Sequence, residues 1–219
     1  MTWMGHDHGD ATGARLHALC GQVGRELGVE IFVPAGTSAA SALPAPLRGF
    51  YRVADGLVLP FATIYAHDRL TARQHGWTAF GRDPYFRDFL CRLDAGPGHR
   101  IAVRDRETAI SVEAVHDDVV EMLADLYAEY LDDGDRRADL RITAVPDGVD
   151  RLRLVAAVKP LRPATGSRDH LAALRNLPAT LADIDCAAGI RVVRTLHTAG
   201  VAAHLTNVGY RDADTRTDV

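Results

Sequence analysis

The spacing of apolar residues first changes after Asp55-Gly56, and that change decides what the first half of the chain can form. Before it the spacing is helical: Leu16, Leu19, Cys20, Val23 and Leu27 recur every three or four residues until Gly28 supplies a stop. VEIFVPAGTSAAS then reads as a short extended piece and a loop. In LPAPLRGFYRVADGL, residues 43–57, Pro44 or Pro46 suits a first helical turn, where its missing N–H would have had no partner, and Leu47, Phe50, Tyr51 and Ala54 line one face. After Gly56 the period falls to two. LVLPFATIY, GWTAFG, FRDFLCRL, RIAVRD and AISVE are short, rich in β-branched and aromatic residues, and divided by turn clusters such as GRDP and DAGPGH. Strands following one another without helices between them predict an antiparallel meander.

Helical spacing returns over VHDDVVEMLADLYAEYL, residues 115–131, where Val119, Met122, Leu123, Leu126 and Tyr130 form an apolar stripe. The polar run LDDGDRRADLR, residues 131–141, then predicts a boundary. The chain is thus expected to have a loose N-terminus over 1–13, a first domain over 14–132, a linker over 133–138, a second domain over 139–208 and a polar tail over 209–219. In the second domain DLRITAV and DRLRLVAAVKPL read as strands, the latter passing into a loop. RDHLAALRNLP reads as a helix stopped at Pro178, CAAGIRVVRTLHTAG as a helix ending at Gly200, and VAAHLTNV as a closing strand. The expected fold class is α+β: helices with an antiparallel meander, then a small two-layer α/β domain with its helices on one face of a sheet.

Charge is divided unevenly. Residues 1–135 hold 20 acids against 12 Arg and Lys, a balance of −8, while residues 136–219 hold 9 acids against 13, a balance of +4. A generally basic nucleic-acid binder is therefore disfavoured, although the arginines of the second part, Arg151, Arg153, Arg162, Arg168, Arg175, Arg191 and Arg194, offer a mildly basic face. No run approaches the roughly 18 consecutive apolar residues that a membrane span needs. The start, MTWMGHDHGDATGAR, puts acids and histidines where a secretory signal has a basic and then an apolar segment, so a cytoplasmic location is expected. Cys20, Cys91 and Cys186 are far apart and odd in number, which suggests buried thiols and neither a disulfide framework nor a zinc site.

The most suggestive charge feature is the polar face of the 115–131 helix and its flanks: Asp117, Asp118, Glu121, Asp125 and Glu129, followed by Asp132 and Asp133. A solvated helix face accounts for these acids, and so does docking of a basic partner. His6-Asp7-His8 has metal-ligand chemistry but too few ligands for a structural site, so no metal or cofactor is expected. Cys91 with His75 or His99 has the residue types of a nucleophile and base, yet Cys91 sits in FLCRL where a small apolar residue fits. GxSxG, HExxH, Walker and GxGxxG motifs are all absent, so catalysis is not expected. Trp77, Phe80, Phe50 and Tyr51 read as core.

With these elements in place, LPAPLRGFYRVADGL resembles the leucine-proline helix of the SUKH superfamily, GWTAFGRDP its Trp-containing strand and turn, RIAVRD a later strand and the acidic helix its closing helix, across residues 14–131. FGRDPYF departs from the Gly-rich turn that members often have. LVAAVKPLRPATG, HLAALRNLPATL and IRVVRTLHTAGVAAHL resemble the C-terminal domain of the bacterial ribosomal stalk protein, across residues 139–207; GSRDH stands where that family carries the glycines and lysines that meet translation factors. The first resemblance implies a non-enzymatic binding protein, an immunity or adaptor protein that neutralises a toxin domain by occlusion. The partner would be a protein, such as a basic toxin or nuclease, with no membrane and no nucleic acid involved. The alternative that the second resemblance implies is a translation-associated module that binds a GTPase or the ribosome.

Overall fold

The computed structural model describes residues 8–72, 76–92, 100–105 and 114–210, with side chains from residue 11 onward. The fold is α+β and divides into two compact units, Met1–Gly21 with Ile31–Ala128, and Gln22–Glu30 with Glu129–Val219.

The first unit begins in α1 (His8–Leu27), whose Leu16 and Leu19 are buried there as the helical spacing requires. A 3₁₀ turn at Ser38–Ala42 follows, capped by Thr37, whose hydroxyl accepts the Ala39 N–H at 3.2 Å. Helix α2 (Ala45–Val53) starts on Pro44 with Pro46 in its first turn, and Leu47, Phe50 and Tyr51 are fully buried. Tyr51 carries a polar atom inward and satisfies it: its hydroxyl donates to the Tyr65 carbonyl at 2.6 Å.

LVLPFATIY is not one strand. It folds back on itself as β1 (Leu57–Leu59) and β2 (Ala62–Ile64), with Leu59 opposite Ala62 and Pro60-Phe61 as the two-residue turn. Proline's fixed φ and missing N–H break the ladder there, and Phe61 turns into the core to stack on Tyr127 with ring centres 5.2 Å apart. The meander continues through β3 (Thr71–Ala72), β4 (Trp77–Arg82), β5 (Asp88–Arg92) and β6 (Ile101–Arg104). All pairings are antiparallel in the order β1-β2-β4-β5-β6, with β3 beside β4. The segment AISVE, like His6, Asp7, His75 and His99, lies outside the described residues. Helix α3 (Val119–Asp132) buries Val119, Met122, Leu123 and Leu126 and begins four residues later than the spacing suggests, because Asp117 and Asp118 stand at its cap.

The second unit corrects two expectations. Residues 133–138 do not form a linker: β7 (Arg136–Ala144) starts inside that run, and Arg136 is only 4 % exposed. Its guanidinium carbon lies 3.9 Å from the Tyr130 ring centre and 4.7 Å from that of Tyr210, so aromatic faces replace water around the charge. The stretch read as a strand in DRLRLVAAVKPL is helix α4 (Arg151–Val158), capped by Asp150, whose carboxylate accepts the Leu152 N–H at 2.9 Å. Helix α5 (Ser167–Arg175), strand β8 (Ala179–Asp185), helix α6 (Cys186–Thr198) and strand β9 (Ala202–Tyr210) complete the unit. Its sheet is antiparallel in the order β8-β7-β9, and β9 runs into the expected tail. Gly28 ends α1 with φ +61°, and a Cβ there would sit 2.2 Å from the His204 ring, so both conformation and space demand glycine. Among the described residues no helix is long and apolar enough to cross a membrane.

Candidate functional site

The acids singled out by the sequence divide by what they are bonded to. Asp118 is the N-cap of α3: Oδ1 accepts the Glu121 N–H at 2.8 Å, and Glu121 reaches back so that Oε2 accepts the Asp117 N–H at 2.9 Å. The reciprocal arrangement is a capping box displaced by one residue. The other oxygen of Asp118 accepts from Arg15 Nη1 at 2.7 Å, so both of its oxygens are engaged within the unit. Asp125 is exposed and lies 3.4 Å from His116 Nδ1, while Asp117 and Glu129 are exposed. The structure thus does not present these acids as one free face. The Asp-x-x-Glu spacing of Asp118 and Glu121 is the sequence signal that assigns two of them to the cap.

Beside that cap lies a cleft of about 420 Å³ between α1, α2 and the start of α3. Arg15, Arg48 and Arg52 line it together with Asp117, Asp118 and Gly49. Arg48 is held in place, because its Nε and Nη2 both donate to the Leu43 carbonyl, at 3.3 and 3.1 Å. Among the described residues the walls of the cleft carry three arginines against two aspartates.

A second feature was not legible in the sequence: the tip joining β4 to β5. Asp83 is 3 % exposed, and its carboxylate gathers the loop around itself. Oδ1 accepts the backbone N–H groups of Tyr85 and Arg87 at 2.9 and 2.8 Å, and Oδ2 takes the Arg87 guanidinium. Two backbone bonds close the loop, from Asp83 N to Arg87 O and from Phe86 N to Asp83 O. Held in this way, Tyr85 is 46 % exposed and Phe86 58 %. Phe86 adopts φ +65°, a left-handed conformation that favours glycine and costs a bulky side chain on the order of 1 kcal/mol or more. Arg82 lies over the Phe86 ring at 5.6 Å and has no carboxylate partner among the described residues. A rigid loop that displays two aromatic rings and an arginine has the composition of a protein-recognition anchor.

The remaining sequence candidates are structural. Cys91 is fully buried in β5 and burial pushes its thiol up to about 12, with Arg100 pulling weakly the other way, so it is a protonated core thiol at neutral pH. Cys186 is likewise buried and pushed up to about 11. Phe50, Tyr51 and Phe80 are core, while Trp77 is half-buried with Arg92 over its ring at 5.9 Å. Among the described residues no three His, Cys, Asp or Glu side chains converge as metal ligands would. Compared with protein-family models, with curated proteins and with solved structures, the chain matches none of them.

Proposed function

We propose that the protein acts by binding another protein and not by bond chemistry, as an immunity or adaptor protein that occludes a toxin domain. The observation that carries this reading is the β4–β5 tip, where a buried carboxylate holds a loop that leaves Tyr85, Phe86 and Arg82 exposed. Tyrosine and arginine dominate interface hot spots, and a loop already rigid before contact loses little entropy on binding. The acids not used in capping α3, Asp125 above all, add electrostatic steering toward a basic surface. The resemblance of residues 14–131 to the SUKH superfamily points the same way.

Co-expression with the product of each neighbouring gene in the native genome tests the proposal. One neighbour is expected to be toxic alone and tolerated with this protein, and Phe86→Ala is expected to abolish the protection; protection that survives Phe86→Ala and Tyr85→Ala together would contradict it. Co-sedimentation with ribosomes separates this function from a translation-associated role of the second unit. The occlusion reading predicts that the protein stays in the supernatant.

A further inference from the structure

The cleft between α1, α2 and α3 points to a second, distinct binding capacity: we infer that it is a site for a small phosphomonoester, whose phosphoryl group is held by Arg48 and Arg52. These two arginines stand four residues apart on one face of α2, a spacing at which like charges oppose helix formation unless something compensates them. Neither has a carboxylate partner among the described residues. Arg15, the third arginine of the cleft, is by contrast already joined to Asp118 at 2.7 Å. Arg48 is also oriented in advance. Two of its nitrogens are fixed on the Leu43 carbonyl, which leaves the opposite edge of a planar fork available. Such a fork recognises phosphoryl and carboxylate oxygens by paired hydrogen bonds, and two guanidinium groups one turn apart suit a tetrahedral group better than a planar one.

The volume and the opposite wall narrow the ligand class. A space of about 420 Å³ exceeds what an inorganic anion fills and lies within the range of small-molecule sites. Among the described residues, three arginines against two aspartates leave one surplus positive charge, which suits a single phosphoryl group and disfavours a polyphosphate chain.

The test is a titration of the full-length protein followed by its backbone amide resonances, at low ionic strength because exposed arginines are screened by salt. Inorganic phosphate, AMP, ATP, acetate and a phosphoserine peptide are the probes. Phosphate and AMP are expected to move the amides of residues 48–52 saturably, AMP more tightly than ATP, with acetate far weaker than either. Arg52→Gln and Arg48→Lys are each expected to weaken phosphate binding about tenfold, the loss of one charge-assisted contact, while Arg151→Gln leaves it unchanged. Retained resonances in the rest of the spectrum show that each variant is folded. Unsaturable shifts, equal binding of acetate, or wild-type affinity in Arg52→Gln would overturn the site. Tighter binding of the phosphoserine peptide than of AMP would overturn its assignment to a small molecule.

Discussion

Arg194 Nε and Nη2 meet Glu26 Oε1 and Oε2 at 2.8 and 3.1 Å, a fork-to-fork pair that joins the end of α1 to α6 within the second unit. Glu26 is 5 % exposed whereas the Arg194 side chain is about half exposed, so the carboxylate depends on the pair more than the guanidinium does. Removing the arginine leaves a buried charge short of its strongest donor. Arg194→Ala is therefore expected to cost about 1–2 kcal/mol, below the value for a fully buried pair because water reaches the site. Replacing both residues by Met is expected to recover most of that loss. The urea midpoints of the single and double variants check both statements.

Tyr51→Phe removes the hydrogen bond to the Tyr65 carbonyl and is expected to cost about 1–2 kcal/mol at neutral pH, since an acceptor loses its donor in the core. The same residue gives a pH signature. Burial, helped by the nearby Asp55 charge, raises the phenol above its ordinary value of 10.0, so the unfolded chain ionises first and stability falls as pH rises past that value. In Tyr51→Phe that part of the alkaline loss is expected to vanish, as read by denaturation midpoints on either side of pH 10.

Asp118 and Asp125 are expected to behave differently although both belong to the acidic stretch. Asp118→Ala loses the cap of α3 and the pair with Arg15, and should lower stability by about 1–2 kcal/mol. Asp118→Ser keeps a capping oxygen and should recover most of this. Asp125→Asn should change stability by less than about 0.5 kcal/mol, as surface substitutions do. Thermal unfolding of the three variants distinguishes a capping acid from an exposed one.

Asp133 sets an acid limit on the second unit. The Tyr210 hydroxyl donates to its Oδ2 at 2.6 Å, and this bond, aided by the Asp135 N–H and Arg136 and opposed by burial, lowers its carboxyl below the ordinary 3.8. A lowered folded pKa gives stability that is fully present above the ordinary value and lost as pH falls through the lowered one. Tyr210→Phe is expected to reduce stability at neutral pH and to flatten this acid loss, which midpoints measured below pH 4 would show.

Helix α2 was readable because its periodic face, Leu47, Phe50 and Tyr51, coincides with the residues the core buries, and Pro46 marks its first turn. Helix α4 misled for a physical reason. Arg151, Leu152, Arg153 and Leu154 alternate as a strand does, yet Leu152 is 68 % exposed and the buried residues are Leu154, Val155 and Val158. Tertiary burial overrode the local alternation, and Asp150 as a cap was the opposing signal. The acids near 118 were legible as charge but not as partners, since net charge does not reveal which oxygens are already bonded. The β4–β5 tip was illegible for the same reason: DPYFR looks like an ordinary turn until Asp83 is seen to be buried and Phe86 left-handed.

The most direct measurement of the protein-binding claim is quantitative affinity purification of the full-length protein from its native host, run in parallel with wild type, Phe86→Ala and Asp125→Asn. The account predicts a partner that wild type retains, that Phe86→Ala loses at least tenfold, and that Asp125→Asn retains with a less salt-sensitive yield. Identical recoveries for wild type and Phe86→Ala would contradict it.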